Sequence, residues 1–313
     1  MGVYRHDSVM PADVLTWLAV RTGGRYIDGT LGGGGHAERI LAAAAETEVL
    51  GIDRDDEALA AAGQRLEPFG GRVHLRRGNY SEMAARAAEI GWREVDGIVL
   101  DLGISSHQID EPGRGFSHRA DGPLDMRMDR RQPVTAATLL NTATEGELAR
   151  LFAEYGEERR ARQVARAVVR RRQERPWART GELAELVRAV VGRAGGGLPA
   201  PTRCFQALRI AVNRELEELE QGLTAAIRLL RPGGRLVVIS FHSLEDRAVK
   251  QAFREAALRC VCPPGFPECR CEKQAWLRVL TRRPLQASAE EVAGNRRAAS
   301  AKLRAAERIE PVH

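Results

Sequence analysis

Asp28-Gly29-Thr30-Leu31-Gly32-Gly33-Gly34-Gly35-His36 is the stretch on which the fold of this chain turns. Arg25–Thr30 reads as a short strand, and the glycine run opens a helix that reaches Ala45. Glycines at such a junction let backbone pass close to a ligand without Cβ clashes. The N–H groups of the helix start then favour a carboxylate or phosphate. Asp53 ends a second strand, 21 residues past Gly32, where an acid can hydrogen-bond both hydroxyls of a ribose. Together these features point to an adenosine-like cofactor in a doubly wound sheet. The plainer alternative is a glycine-rich turn with a surface acid.

The α/β rhythm continues outward from this turn. Glu48–Asp53 reads as the second strand, Val73–Arg77 as the third and Val95–Leu102 as the fourth, with helices between them. Ile98-Val99-Leu100 is the unbroken apolar run of a strand covered on both faces. From Glu111 to Asp129 the chain is rich in Gly, Pro, Asp and Arg and reads as a structured loop. Thr135 to Pro201 shows only helical patterns, including Glu145–Tyr155, Glu158–Arg172 and Gly181–Val191, and Gly195–Pro199 reads as a linker. Phe205–Leu230 reads as one long helix stopped by Arg231-Pro232-Gly233-Gly234. Arg235–Phe241 is a buried strand, Ser243–Leu258 a helix and Trp276–Arg282 a further strand, while Ala301–Arg308 fits a strand or a helix.

The chain has 313 residues and 43% hydrophobic content, enough for one large or two smaller cores. It shows neither a signal-peptide pattern nor an apolar run long enough to span a bilayer, so the expectation is a soluble, cytoplasmic protein without membrane contact. Its 48 basic and 42 acidic residues give a net charge of +6. That is modest for a nucleic-acid binder, so the placement of charge matters more than its total. Nine arginines and one acid, Glu174, lie between Arg159 and Arg179.

Gly-rich turn and Asp53 do not separate a dinucleotide from S-adenosylmethionine. Asp28 directly before the glycines suits a cationic ligand, such as a sulfonium or an amino group. A third acid, Asp101, closes the fourth strand beside the crevice where such sheets bind ligands. No hydride-transfer set of residues is evident, and a methyltransferase is the favoured reading.

The residues that carry a more specific resemblance are His6–Met10, Asp28–His36, Gly51–Asp55, Asp96–Asp110, Arg114–Ser117, Pro123–Asp129, Gln206–Asn213, Ser240–Arg247 and Asn295–Arg304. In this order, nearly end to end, the chain resembles the bacterial RsmH (MraW) family, which methylates N4 of a decoding-centre cytidine in 16S rRNA. The resemblance implies a class I, Rossmann-like methyltransferase sheet in residues 1–110 and 206–313, interrupted by an all-helical insertion at 111–205. It also implies S-adenosylmethionine held by Gly34, Gly35, His36, Asp53, Tyr80, Asp101 and Gln108. Each has an ordinary alternative: Tyr80 as a core tyrosine, Gln108 as a loop polar residue, His36 as a helix-start residue. The acceptor implied is 16S rRNA in the small subunit or a late precursor. Another RNA or DNA base, a protein acceptor, or a non-catalytic assembly factor are the competing readings, and a homodimer is left open.

A sulfonium methyl is already activated, so the chain's task is to place the acceptor in line. Cytosine's exocyclic amine is a poor nucleophile, and acceptors aimed at its N–H bonds would favour attack and take the proton. Asp101 or nearby backbone carbonyls are expected to act on the amine, with Ser105, Ser106, His242 and Asp246 lining the base pocket. His242 could instead cap or pack the strand–helix junction, and Asp246 could be a first-turn acid favoured by the helix dipole. The Asn/Asp-Pro-Pro-aromatic motif of many amino-methyltransferases is replaced here by Asp101-Leu102-Gly103-Ile104-Ser105-Ser106. Arg159, Arg162, Arg166 and Arg170 recur at helical spacing, as an RNA-facing stripe or a solvated face. Cys260, Cys262, Cys269 and Cys271 fall within twelve residues. Structural zinc, disulfides and thiols all remain open there, and no metal ligand is assigned.

Overall fold

A computed structural model of the chain describes residues 8–192, 199–262, 271 and 273–312. His6, Asp7, most of the expected linker (195–198) and Cys269 lie outside them. The chain divides into two compact units, Met1–Gly103 with Leu216–His313, and Ile104–Glu215.

In the first unit, helix α1 (Pro11–Leu18) precedes β1 (Arg25–Asp28), α2 (Gly35–Ala43), β2 (Glu48–Asp53), α3 (Asp56–Leu66), β3 (Val73–Arg77), α4 (Met83–Glu89) and β4 (Val95–Asp101). The second unit is helical: α5 (Ser106–Asp110), α6 (Ala136–Thr142), α7 (Glu145–Glu154), α8 (Ala161–Glu174), α9 (Thr180–Val191) and α10 (Ala200–Asn213). The chain then returns through α11 (Glu215–Leu229), β5 (Leu230–Ser240), α12 (Ser243–Ala257), β6 (Ala275–Val279), the two-residue β7 (Leu285–Gln286), α13 (Ala289–Gly294) and β8 (Lys302–Val312).

The strands form one sheet in the order β3-β2-β1-β4-β5-β8-β6, with β7 also on β8. From β1 to β5 all neighbours are parallel, and β8 runs antiparallel to β5, β6 and β7. The strand order reverses between β1 and β4, which makes their carboxyl ends the switch point where such sheets bind ligands. Alternate residues feed two cores. Ile98, Leu100, Leu236 and Val238 join Met83, Leu223 and Val249 on one face. Val99, Val237 and Ile239 join Val14, Ile40 and Leu66 on the other. This two-sided burial is what the apolar run in β4 predicts.

Three expectations change. The ambiguous Ala301–Arg308 is a strand, because β8 pairs along β5 from Arg235↔Glu307 to Ser240↔Lys302. The single long helix expected over Phe205–Leu230 is two helices, broken at Arg214 in the left-handed region (φ +51°). Asn213 turns its side chain into the Met126–Met128 loop, donating to Met126 O at 2.7 Å and accepting from Met128 N at 2.8 Å. Arg209 and Glu215 then bracket the break with paired bonds of 2.9 and 2.8 Å. The helical unit consequently runs from 104 to 215 rather than from 111 to 205, since α5 and all of α10 belong to it.

That unit has its own core, in which Val164, Ala165 and Val168 of α8 meet Leu148, Phe152, Leu183 and Leu208. The Gly- and Pro-rich loop is anchored by buried Arg114, which donates to the carbonyls of Arg127 and Met128 at 3.1 Å. Among the described residues, no helix is long and apolar enough to cross a membrane.

Candidate active site

Asp28 ends β1 and is fully buried. Its Oδ1 accepts from Thr30 N at 3.3 Å, whereas Oδ2 has no hydrogen-bond partner. Burial pushes its carboxyl up to about 6, against the lowering influence of His36 and the Thr30 N–H. Asp101 ends β4, the neighbouring strand, and its backbone N–H donates to Thr30 Oγ1 at 2.6 Å. The turn after β1 and the end of β4 are thus stitched together through one hydroxyl. The sequence reading gives Thr30 no role of its own, because the partner of its hydroxyl lies 71 residues away and only the sheet brings it near.

Gly34 caps α2 in the left-handed region (φ +78°), and a Cβ on Gly35 would lie 2.1 Å from Ser8 Oγ. Position 34 therefore favours glycine, a side chain at Gly35 would have to displace the Ser8 hydroxyl, and the tight turn carries His36 into the interior, 4% exposed. His36 Nε2 is 3.4 Å from Asp101 Oδ2, an ion-pair distance without hydrogen-bond geometry. Burial pulls the imidazolium down, but Asp101 and then Asp28 outweigh it, and the net direction is up. Neither ring nitrogen has a hydrogen-bond partner, and nor does Asp101 Oδ1. His36 is therefore more than a helix-start residue.

Asp53 ends β2, and its two oxygens accept from Gly32 N at 2.8 Å and Asp55 N at 2.9 Å. Desolvation raises its carboxyl despite these two donors. Each carboxylate oxygen keeps a second lone pair, so the pair of bonds orients Asp53 without exhausting it. Tyr80 follows β3 and is 8% exposed; a Cβ on Gly222 of α11 would lie 2.4 Å from its ring. The core role considered for Tyr80 is present.

Beyond β5 the structure gives ordinary tasks to two expected pocket residues. His242 caps α12: its Nδ1 accepts from Glu245 N at 3.5 Å, and Glu245 Oε2 accepts from Phe241 N at 2.8 Å. Its Nε2 is buried without a hydrogen bond, 3.1 Å from Glu245 Oε1. Asp246 has partners within the fold. Its Oδ1 accepts from Arg304 Nε at 2.7 Å and its Oδ2 lies 3.6 Å from Lys302 Nζ, so both oxygens tie α12 to β8. Burial works to raise this carboxyl, but Arg304 and Lys302 hold it below the usual range.

Ser105, Ser106 and Gln108 lie in the helical unit, at the start of α5. Ser105 Oγ accepts from Gln108 N and Gln108 Oε1 accepts from Ser105 N, both at 3.2 Å, a reciprocal capping box. Gln108 is buried rather than a loose loop residue. On α8, Arg162, Arg166 and Arg170 are exposed along the face opposite the core, whereas Arg159 sits in the preceding turn. Several neighbours are committed within the unit: Arg160 to Val190 O, Arg172 to Leu140 O and Ala143 O, and Arg171 and Arg175 to Glu182.

Buried acids around an imidazole, at the switch point of a parallel sheet, suit a cofactor that is both adenosine-like and cationic. That combination is the mark of an S-adenosylmethionine-dependent methyltransferase, and it separates this chain from dinucleotide enzymes. A family model described as the MraW methylase family matches residues 3–309, and the chain belongs to that family. It is 52% identical over 312 residues to the ribosomal RNA small subunit methyltransferase H of Heliobacterium modesticaldum, covering 98% of this chain and 99% of that protein. The protein of the same name from Symbiobacterium thermophilum is 50% identical over 311 residues, covering 98% of each. Among solved structures, an rRNA methylase from Streptococcus thermophilus aligns with 96% of this chain and 94% of its own, at 10% identity and a TM-score of 0.41. That likeness is too remote to add to the description of the fold.

Proposed function

We propose that this enzyme transfers the methyl group of S-adenosylmethionine to N4 of a decoding-centre cytidine in 16S rRNA. The observation that carries the reading is the set of buried atoms without hydrogen bonds at the β1–β4 switch point: Asp28 Oδ2, both His36 nitrogens and Asp101 Oδ1. Polar atoms buried in this way are costly unless a ligand completes them. Full-length similarity to proteins named for small-subunit rRNA methylation supports the acceptor.

S-adenosylmethionine supplies a methyl group already activated by its sulfonium charge. The Gly34–Gly35 turn and the first N–H groups of α2 offer donors to its carboxylate. Asp53 would accept from the ribose hydroxyls, and Tyr80 would stand at the adenine. Asp28, ionised, balances the positive charge. Asp101 Oδ1 would accept an N–H of the cytosine amine, hold the amine in its nucleophilic form and take its proton when the methyl group is transferred. The family resemblance assigns Gln108 to the cofactor, and we assign Ser105, Ser106 and His242 to the base. Asp246 has no part in this scheme.

N4 of a paired cytosine is occupied, so the base is presented unpaired or flipped. Arg162, Arg166 and Arg170, with Arg159 beside them, meet the phosphates. The substrate is accordingly the small subunit or a late precursor, encountered in the cytoplasm, and the mass of the enzyme in solution tells whether it works as a monomer or a homodimer.

The test is methyl transfer from labelled S-adenosylmethionine to small subunits lacking the modification, with the product nucleoside identified by mass. One N4-methylated cytidine per subunit is expected. A methylated nucleoside of another kind would move the acceptor, and cofactor binding without turnover on subunits, naked rRNA or DNA would make the chain a non-catalytic assembly factor.

A further inference from the structure

Helix α12 ends at Ala257 and β6 begins at Ala275, and Cys260, Cys262 and Cys271 all fall on the connection between them. Their Sγ atoms lie within 4.8 Å of one another. Those of Cys260 and Cys271 are 3.8 Å apart, well beyond the ~2.05 Å of a disulfide bond. The spacing matches a different object. With zinc–sulfur bonds of about 2.3 Å, the edge of a tetrahedron of sulfurs is about 3.8 Å.

The backbone tightens the same knot. Cys262 N donates to Cys260 Sγ at 3.3 Å and Val261 N donates to Cys271 Sγ at 3.4 Å. N–H donors to sulfur favour thiolate over thiol, and they orient the sulfurs as outer-shell bonds do in metal centres. We propose that Cys260, Cys262 and Cys271 bind a structural zinc ion as thiolates, releasing their protons to solvent. The ion clips the end of α12 to the start of β6, an edge strand of the sheet. It takes no part in methyl transfer. Helix α12 has 15 residues, which puts its far end about 22 Å from the His242 cap. Its role is to tie Cys271, just before β6, to Cys260 and Cys262, just after α12.

Full-length protein, produced with zinc and kept reduced, is assayed for metal, then titrated with a thiol-blocking mercurial while a chelating dye reads released zinc. About one equivalent, released in step with thiol blocking, is expected; the Cys260→Ser/Cys271→Ser variant should lose it and bind S-adenosylmethionine within about twofold of the parent. Cobalt(II) in place of zinc should give sulfur-to-cobalt charge-transfer bands and the intense visible absorption of a tetrahedral site. Zinc well under one equivalent after reconstitution, or unchanged in the double variant, overturns the proposal. So do cysteines found joined in disulfides by mass analysis of unreduced protein. If the double variant does not fold, mercurial release from the parent protein decides alone.

Discussion

His36 Nε2 stands 3.4 Å from Asp101 Oδ2, with the two side chains 4% and 7% exposed. Both ring nitrogens of the first and Oδ1 of the second lack hydrogen bonds. Leaving a buried polar group unsatisfied costs about 1–3 kcal/mol, and here several such atoms lie close enough to Asp28 to bias its charge. The fold carries this cost at the β1–β4 switch point, where bound cofactor and acceptor base would repay it.

Asp101→Asn keeps the shape of the side chain and removes its capacity to take a proton. Single-turnover methyl transfer with cofactor saturating should fall about a hundredfold or more, in the range of general-base contributions. His242→Asn retains a side-chain cap for α12 and should slow transfer about tenfold at little cost in stability, whereas His242→Ala should also lose about 1 kcal/mol of stability. Full rates for Asp101→Asn would remove it as the proton acceptor, and full rates for His242→Asn would leave His242 as a cap alone.

Asp28 gives a pH dependence with a defined sign. Its folded-state carboxyl is raised to about 6, so its contribution to apo-protein stability is fully present below its unfolded value near 4 and is lost as pH rises through about 6. A cationic cofactor needs the ionised form. Affinity for S-adenosylmethionine, followed by calorimetry, should therefore weaken as pH falls through about 6. Asp28→Asn should flatten that profile, weaken binding at neutral pH more than tenfold, and stabilise the apo-protein by about 2–3 kcal/mol, the free-energy equivalent of the shift. Unchanged affinity in that variant would take Asp28 out of the site.

We assign Asp246 to support of the sheet rather than to the chemistry. Asp246→Asn leaves the Arg304 side chain, 7% exposed, without its anion and should destabilise by about 3 kcal/mol. Because the folded carboxyl is held below its usual range, this stability is present above pH 4 and lost as pH falls through the folded value. Methyl transfer under saturating single-turnover conditions at low temperature should stay near the parent rate. A stable variant with a large loss of rate would restore Asp246 to the base pocket.

Changing Arg162, Arg166 and Arg170 together to Gln should weaken binding to small subunits and flatten its salt dependence. Three lost phosphate contacts reduce the slope of log affinity against log salt by about 2 for single-stranded RNA. Arg166 is 3.6 Å from Glu145, so Arg166→Gln alone should act more weakly than Arg162→Gln or Arg170→Gln. Cofactor affinity should not change. An unaltered slope would reduce the stripe to a solvated helix face.

Much of this was legible in the chain because it depends on near neighbours. Alternation and apolar runs set the strands, the glycine run set the turn, and strand ends at Asp28, Asp53 and Asp101 placed three acids on one edge of a parallel sheet. The Ser105–Gln108 capping box was equally local, written as Ser-x-x-Gln, and simply went unread.

Other features rest on partners far away in the chain. The helical pattern runs unbroken through Arg214, and the break there comes from Asn213 meeting Met126 and Met128, more than eighty residues earlier. Asp246 looks like any first-turn acid until β8 brings Arg304 and Lys302 beside it. Likewise, an aspartate at a strand end is ordinarily a solvated charge. Asp28 has its carboxyl pushed up to about 6 because packing removes its water, a rise that the Asp101 charge adds to and His36 opposes. Backbone periodicity and turn chemistry act over a few residues and can be read in order, whereas burial and charge pairing depend on which segments the folded sheet brings together.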